Sequence, residues 1–149
     1  MSLLFRFGSI LFAASVLGNV ALSGEPTAVT VYKSPTCGCC SKWVKHLEAN
    51  GFSVETHDVR DVTPIKLANG VPRGLSSCHT ALVEGYVVEG HVPAADVIQL
   101  LDERPSIVGL AVPGMPIGSP GMEGPRPERY SVMSFDAEGQ VEVFASHGP

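Results

Sequence analysis

Basic and aromatic residues are scarce in this chain. Lysine and arginine together number 10 against 15 acids, for a net charge of −5, and aromatics make up 7% of the 149 residues. An acidic surface without a basic stripe does not attract a phosphate backbone, and so few rings offer no stacking platform, which excludes a nucleic-acid partner. No long apolar run spans a bilayer either. Gly8 to Val20 is almost wholly apolar but shorter than the roughly 20 residues a crossing helix needs. No internal repeat is visible, and the length suits one domain.

The first 23 residues differ from the rest. Arg6 supplies a positive start, the apolar stretch follows, and Ala21-Leu22-Ser23 offers the small residues a signal peptidase reads. Cleavage is expected near Ser23–Gly24, leaving residues 24–149 as one exported, periplasmic domain with no stable membrane insertion. Its net charge becomes more negative by one, since Arg6 is the charge removed. No cysteine stands near the cleavage point to carry a lipid.

Cysteine is also rare, yet its placement is unusual. Three of the four fall together in Ser34-Pro35-Thr36-Cys37-Gly38-Cys39-Cys40, and the fourth is Cys78. Exported chains commonly pair cysteines at a distance to staple loops. Adjacent Cys39 and Cys40 would make only a strained bridge, so the cluster points to a redox or soft-metal site. Cys37 and Cys40 have the spacing of a redox-active CxxC pair, which would leave Cys39 with Cys78.

The flanking pattern is βαβ. Ala28 to Lys33 is β-branched and strand-like. Ser41 to Asn50 is a helix, with Val44 and Leu47 on the face of Cys40 and Asn50-Gly51 as its stop. Phe52 to Val59 alternates as a second strand. Pro64 to Ala68 is a short helix opened by proline. His79 to Val83 and Tyr86 to His91 form a hairpin across Glu84-Gly85. Pro93 then opens a helix to about Arg104, with Ala94, Val97, Leu100 and Leu101 on its apolar face. This order, β-α-β-α-β-β-α, is that of an α/β thioredoxin-like fold, with the thiols at the first helix's N-terminus. Pro105 to Pro127 holds six prolines and five glycines and is expected to be irregular throughout. Tyr130 to Phe135 and Val141 to Phe144 make a closing hairpin that adds to a sheet edge.

A cysteine at a helix N-terminus meets free backbone N–H groups and the positive end of the dipole, and both favour thiolate. That much fits a thiol–disulfide oxidoreductase using Cys37 and Cys40. A third thiol at Cys39, and a fourth expected to face the other three from just before the third strand, fit a soft cation better. Four sulfurs suit Cu(I), as a single ion or a small Cu–S cluster, and zinc is also compatible. Two purely structural disulfides are the plainest alternative. Met115 and Met122 flank a Gly/Pro-rich turn without an obvious core to fill, and thioether sulfur favours Cu(I) over zinc. Met133 alternates inside a strand and is assigned to the core.

His79 and His91 are candidate imidazole ligands, although strand alternation would turn His79 away from Cys78. His46, His57 and His147 have weaker cases. Trp43 is expected to pack in the core, and Lys33 and Lys42 to be solvated.

These residues resemble a known family. The runs Val31-Tyr32-Lys33-Ser34-Pro35-Thr36-Cys37-Gly38-Cys39-Cys40-Ser41-Lys42-Trp43, Pro72-Arg73-Gly74-Leu75-Ser76-Ser77-Cys78-His79-Thr80, Glu89-Gly90-His91-Val92-Pro93, Gly109-Leu110-Ala111-Val112-Pro113-Gly114-Met115-Pro116 and Gly118-Ser119-Pro120-Gly121-Met122-Glu123 are similar to the periplasmic CopG copper-resistance family. The similarity extends over nearly all of residues 24–149. It implies a thioredoxin-like fold and a role in copper resistance. It further implies copper bound by Cys37, Cys39, Cys40 and Cys78, with Cu(I)/Cu(II) interconversion and other periplasmic copper-resistance proteins as partners. His91, Met115 and Met122 fall in matching motifs and are carried as further ligands. A copper chaperone or store without turnover is the alternative within the same resemblance.

Overall fold

The computed structural model describes residues 24–149. The expected export signal over residues 1–23 lies outside the described residues. Among the described residues, no helix is long and apolar enough to cross a membrane.

The chain builds a mixed α/β structure on one seven-stranded sheet. Strand β1 (Thr27–Lys33) leads into helix α1 (Gly38–Ala49), and β2 (Phe52–Asp58) into α2 (Thr63–Ala68). A 3₁₀ turn (Arg73–Leu75) precedes β3 (His79–Val83), β4 (Tyr86–Glu89) and α3 (Ala94–Glu103). Strands β5 (Gly109–Ala111), β6 (Tyr130–Phe135) and β7 (Val141–His147) complete the chain. The spatial order is β2-β1-β3-β4-β5-β6-β7. β1 pairs parallel with β2 across the α1 crossover and antiparallel with β3. β3 and β4 form a hairpin whose two turn residues, Glu84 and Gly85, both have positive φ, as a tight turn matched to strand twist requires.

One expectation fails within Pro105–Pro127. The run is not irregular throughout. Gly109–Ala111 forms a strand parallel to β4 and antiparallel to β6. The reason is burial: Leu110, Ala111 and Val112 are fully buried, and a backbone there must find ladder partners. Prolines flank this apolar stretch without entering it. The closing hairpin does extend the sheet edge, and β7 runs on to His147, beyond the expected Phe144. Helix α1 begins at Gly38, three residues before the expected Ser41.

The strands' two-residue alternation feeds two cores. Val88 and Leu110 join Trp43, Leu47, Val97 and Leu100 on the face covered by α1 and α3. Their neighbours Val87 and Ala111 face the other way, onto Val71, Leu75 and Phe135. Each large apolar side chain so buried contributes about 1.5–3 kcal/mol. Trp43 is in the core as expected, and its indole N–H donates to the Val92 carbonyl at 2.8 Å. Met133 packs against the smaller core.

α3 has no side-chain cap of its own. Instead the Ala94 amide donates to His46 Nε2 at 3.0 Å, so α1 caps the start of α3. Accepting that bond requires a neutral ring, and burial lowers the His46 pKa despite the opposing pull of Glu123. A histidine pKa depressed by folding means the unfolded chain binds the proton more readily. Stability is therefore complete above the unfolded value near 6.5 and falls as the pH drops below it. Thermal melts between pH 7.5 and 5 are expected to show a falling Tm. His46→Gln, which keeps an acceptor but does not titrate, is expected to show a shallower fall; an unchanged slope would show that this cap plays no part.

Candidate metal centre

After β1 ends at Lys33, a tight turn closes with the Cys37 amide donating to the Ser34 carbonyl at 3.1 Å. Cys37 then takes the N-cap position of α1, with extended backbone (φ −77°, ψ 96°), and its sulfur accepts the Cys40 amide at 3.3 Å. A sulfur here does what serine or aspartate usually does at a helix start. Ser41 reinforces the turn by donating both its amide and its hydroxyl to the Cys37 carbonyl. One helical turn brings the ends of the CxxC together, and Cys37 and Cys40 are joined as a disulfide. Cys39 and Cys78 are free thiols.

Cys78 arrives by a different route. The β1–β3 ladder pairs Lys33 with His79, so the residue before His79 lies level with the loop that follows Lys33. All four sulfurs consequently lie within 4.8 Å of one another, with Cys37 and Cys39 at 3.4 Å. The expected convergence of the distal cysteine on the trio is thus present.

Two imidazoles back the Cys78 sulfur. His91 Nε2 is 3.1 Å away, while its Nδ1 lies 2.7 Å from the Pro120 carbonyl oxygen. A carbonyl can only accept, so Nδ1 carries the proton and Nε2 turns a lone pair toward the sulfur. His79 Nδ1 is 3.4 Å from the same sulfur. This overturns the expectation that alternation would separate them: Cys78 precedes the first paired residue of β3 and does not obey the pleat. His79 is fully buried between Trp43 (ring centroids 4.4 Å) and His91 (5.1 Å), and its Nε2 has no hydrogen-bond partner. Burial lowers the pKa of both rings; for His79 the effect is larger and the charges of His91 and Lys66 add to it. Burial also pushes the Cys78 thiol up to about 11, helped by the neighbouring Cys39. Cys78 and the two imidazoles are therefore neutral, and the cluster is rich in soft or borderline donors.

The methionine loop folds over the cysteine turn. Gly121 (φ +87°) lies so close to α1 that a Cβ would sit 2.7 Å from the Cys39 carbonyl and 3.0 Å from the Trp43 amide. Its amide donates to Glu123, whose carboxyl is held below its usual range by backbone bonds, with smaller help from Lys42 and His46. Met122 and Cys39 share a cleft of about 550 Å³ with Lys42 and Glu123. Met115 is half exposed and does not line that cleft.

The remaining candidates are engaged elsewhere. His46 caps α3, His57 lies 3.2 Å from Glu55, and His147 lies 2.7 Å from Asp96. Lys42 is exposed, as expected. Lys33 is not: it is buried against Asp58 at 2.7 Å, because β1 is an interior strand and pairs Lys33 directly with Asp58.

A buried polar cluster beneath Cys78 had no expectation attached. Glu89, fully buried, accepts from Lys66 Nζ (2.5 Å), the Thr80 hydroxyl (2.7 Å) and the Ser77 amide (2.6 Å). The one sequence signal was an acid ending an otherwise apolar strand, Tyr86-Val87-Val88-Glu89.

Known proteins resemble this chain in both sequence and fold. Residues 75–122, which hold Cys78, His79, His91 and both loop methionines, match a family described as a protein of unknown function, DUF411. No curated protein matches the chain. Two solved structures named copper resistance protein CopG, forms 1 and 2, are each 50% identical to it. Each superposes with a TM-score of 0.79 and is covered over its whole length, while 84% and 83% of this chain is covered. At that identity and coverage, the chain belongs to the family of the copper resistance protein CopG.

Proposed function

We propose that this protein is an exported copper-binding protein that holds Cu(I) on Cys37, Cys39, Cys40 and Cys78 and interconverts Cu(I) and Cu(II). The observation that carries the proposal is the convergence of four sulfurs within 4.8 Å. Thiolates are soft ligands that select Cu(I), and sulfurs this close can bridge several ions into a Cu–S cluster. The solved relatives' name, copper resistance protein, supports copper as the cargo. His91 is a further ligand because its Nε2 already faces Cys78, and Met122 because it flanks the cleft beside Cys39. Met115, half exposed, has the weaker placement.

Cys37 and Cys40 supply the redox step. Two Cu(II) ions each accept one electron from the reduced pair. The products are two Cu(I) ions, the Cys37–Cys40 disulfide and the two thiol protons, which leave to solvent. All four cysteines hold Cu(I) only while that pair is reduced; once it closes, the thiolates left are Cys39 and Cys78, with His91 beside them. The reverse direction spends the disulfide to oxidise two Cu(I). The disulfide at the start of α1 supports this assignment. We take β1 through α3 as thioredoxin-like, supported by β1 lying between parallel β2 and antiparallel β3. Residues 24–149 are proposed as one periplasmic domain following a cleaved signal over 1–23, with other periplasmic copper-resistance proteins as exchange partners. A copper-free thiol–disulfide oxidoreductase is the second reading, favoured by that same disulfide.

Metal analysis of protein reduced and loaded with copper without oxygen is expected to give more than one copper per chain, with most lost in Cys78→Ser. Undiminished loading in that variant would refute a shared four-sulfur site. A protein that binds no copper yet reduces insulin disulfides would establish the second reading.

The electron count is tested separately. Reduced protein titrated with Cu(II) is expected to lose two free thiols for every two ions that become silent in electron paramagnetic resonance. Cys40→Ser is expected to bind copper without that paired thiol loss. Copper held with no change in oxidation state would instead describe a store or chaperone.

A further inference from the structure

We propose that Glu89 is a positioning residue that places the Cys78 sulfur, acting through the Ser77 amide. The inference rests on the reading that Cys78 completes the copper site.

Ser77 lies outside the β3 ladder, which begins at His79. Its amide is instead held by Glu89 Oε1 at 2.6 Å. The same carboxylate oxygen receives Lys66 Nζ, and the other oxygen receives the Thr80 hydroxyl, itself a partner of Lys66 at 3.0 Å. Both carboxylate oxygens and the Lys66 ammonium thus have hydrogen-bond partners. A buried ion pair is nevertheless a poor way to gain stability, since an apolar pair of similar volume generally serves as well. What an apolar pair cannot do is accept the Ser77 amide.

The geometry around Ser77 is tight on each side. Its hydroxyl donates to the Gly114 carbonyl at 2.5 Å, at the start of the methionine loop. Gly90 (φ +71°) also packs against it: a Cβ there would lie 2.4 Å from the Ser77 hydroxyl and 2.8 Å from the Val112 carbonyl. Ser77 is thus clamped between β4 and the loop, and Cys78 is the next residue. Glu89 also leads through Gly90 directly into His91, whose Nε2 meets Cys78 at 3.1 Å. One carboxylate therefore ties together the two segments that bring a sulfur and an imidazole to the same point. Metal sites tolerate only small errors in ligand position, so a shift of this segment would be felt in affinity.

Three variants separate positioning from stability. Glu89→Leu with Lys66→Met removes both charges and the acceptor. Glu89→Gln with Lys66→Met removes the charges but keeps a carbonyl facing Ser77. Glu89→Asp keeps the ion pair and withdraws the acceptor by one methylene. Each is measured for Tm, for Cu(I) affinity by competition with a Cu(I) chelator, and for hydrogen exchange of the Ser77 amide in metal-free protein. The Leu/Met variant is expected to keep a Tm near the parent's, exchange Ser77 faster and bind Cu(I) about 10- to 100-fold more weakly. The Gln/Met variant is expected to match the parent in both. If Leu/Met does not fold, Glu89→Asp carries the test, with the same losses expected. Parental affinity in Leu/Met or Asp, or a Gln/Met variant as damaged as Leu/Met, would overturn the proposal. Unchanged Ser77 exchange in Leu/Met or Asp would overturn it too, and that readout holds even if the parent protein binds no copper, an outcome that would sink the functional reading instead.

Discussion

The register between β1 and β3 is the constraint on which the site depends. Cys37, Cys39 and Cys40 are neighbours along the chain and would cluster in any structure that starts α1 near Gly38. Cys78 is joined to them by a ladder in which Lys33 pairs with His79 and Val31 with Ala81. A slip of one residue would exchange the faces of β3 and carry Ala81 and Val83 out of the core. The register is therefore held by burial of β3, most of whose residues are inaccessible, and not by any attraction among the sulfurs. The fold pays the entropy of closing that long connection with apolar contacts, and the site inherits the result.

Burial on the inner side then decides the chemistry. Cys40 and His79 are fully buried, and His91 lies beneath the loop carbonyl of Pro120. Burial disfavours charge, which is why the thiol of Cys78 is pushed up while the imidazoles of His79 and His91 are pushed down. Both shifts have one consequence: before a cation arrives, Cys78, His79 and His91 are neutral. A monovalent soft ion that displaces a thiol proton exchanges one positive charge for another, so the half-buried site gains little net charge. A hard divalent ion would bring more charge into the same space, with few oxygen donors to meet it.

Much of this was legible in the chain. The helix over α1, the hairpin turn at Glu84-Gly85 and the closing β6–β7 pair all follow local rules of period and turn chemistry, and those rules survive folding. The cysteine cluster was legible because spacing along a helix fixes distance. The failures have a common cause in tertiary pairing. Gly109–Ala111 is too short and too close to proline to announce a strand, and becomes one because β4 and β6 leave a row of backbone groups to satisfy on either side. Lys33 looked solvated until β2 supplied Asp58 beside it. His79 was placed by the pleat, yet its neighbour Cys78 stands outside the pleat. Glu89 and Lys66 lie on elements far apart in sequence, and nothing local signals that they meet.

The four sulfurs are not equivalent, and the methionine loop makes the difference. Cys40 is sealed within the core, whereas Cys37, Cys39 and Cys78 are partly exposed, Cys78 with His79 and His91 behind it. The loop could have closed this open side. Instead Gly121, which adds no side chain, packs against the start of α1, where a Cβ would meet the Cys39 carbonyl. Met122 and Glu123 then diverge to line a cleft that keeps Cys39 in reach of solvent. A larger residue at 121 would meet the Cys39 carbonyl and the Trp43 amide, which are rigid backbone atoms at the start of α1, so the loop itself would have to lift. The small residue thus serves two ends at once: it lets the loop supply Pro120 to orient His91, and it leaves the sulfur-lined opening unobstructed.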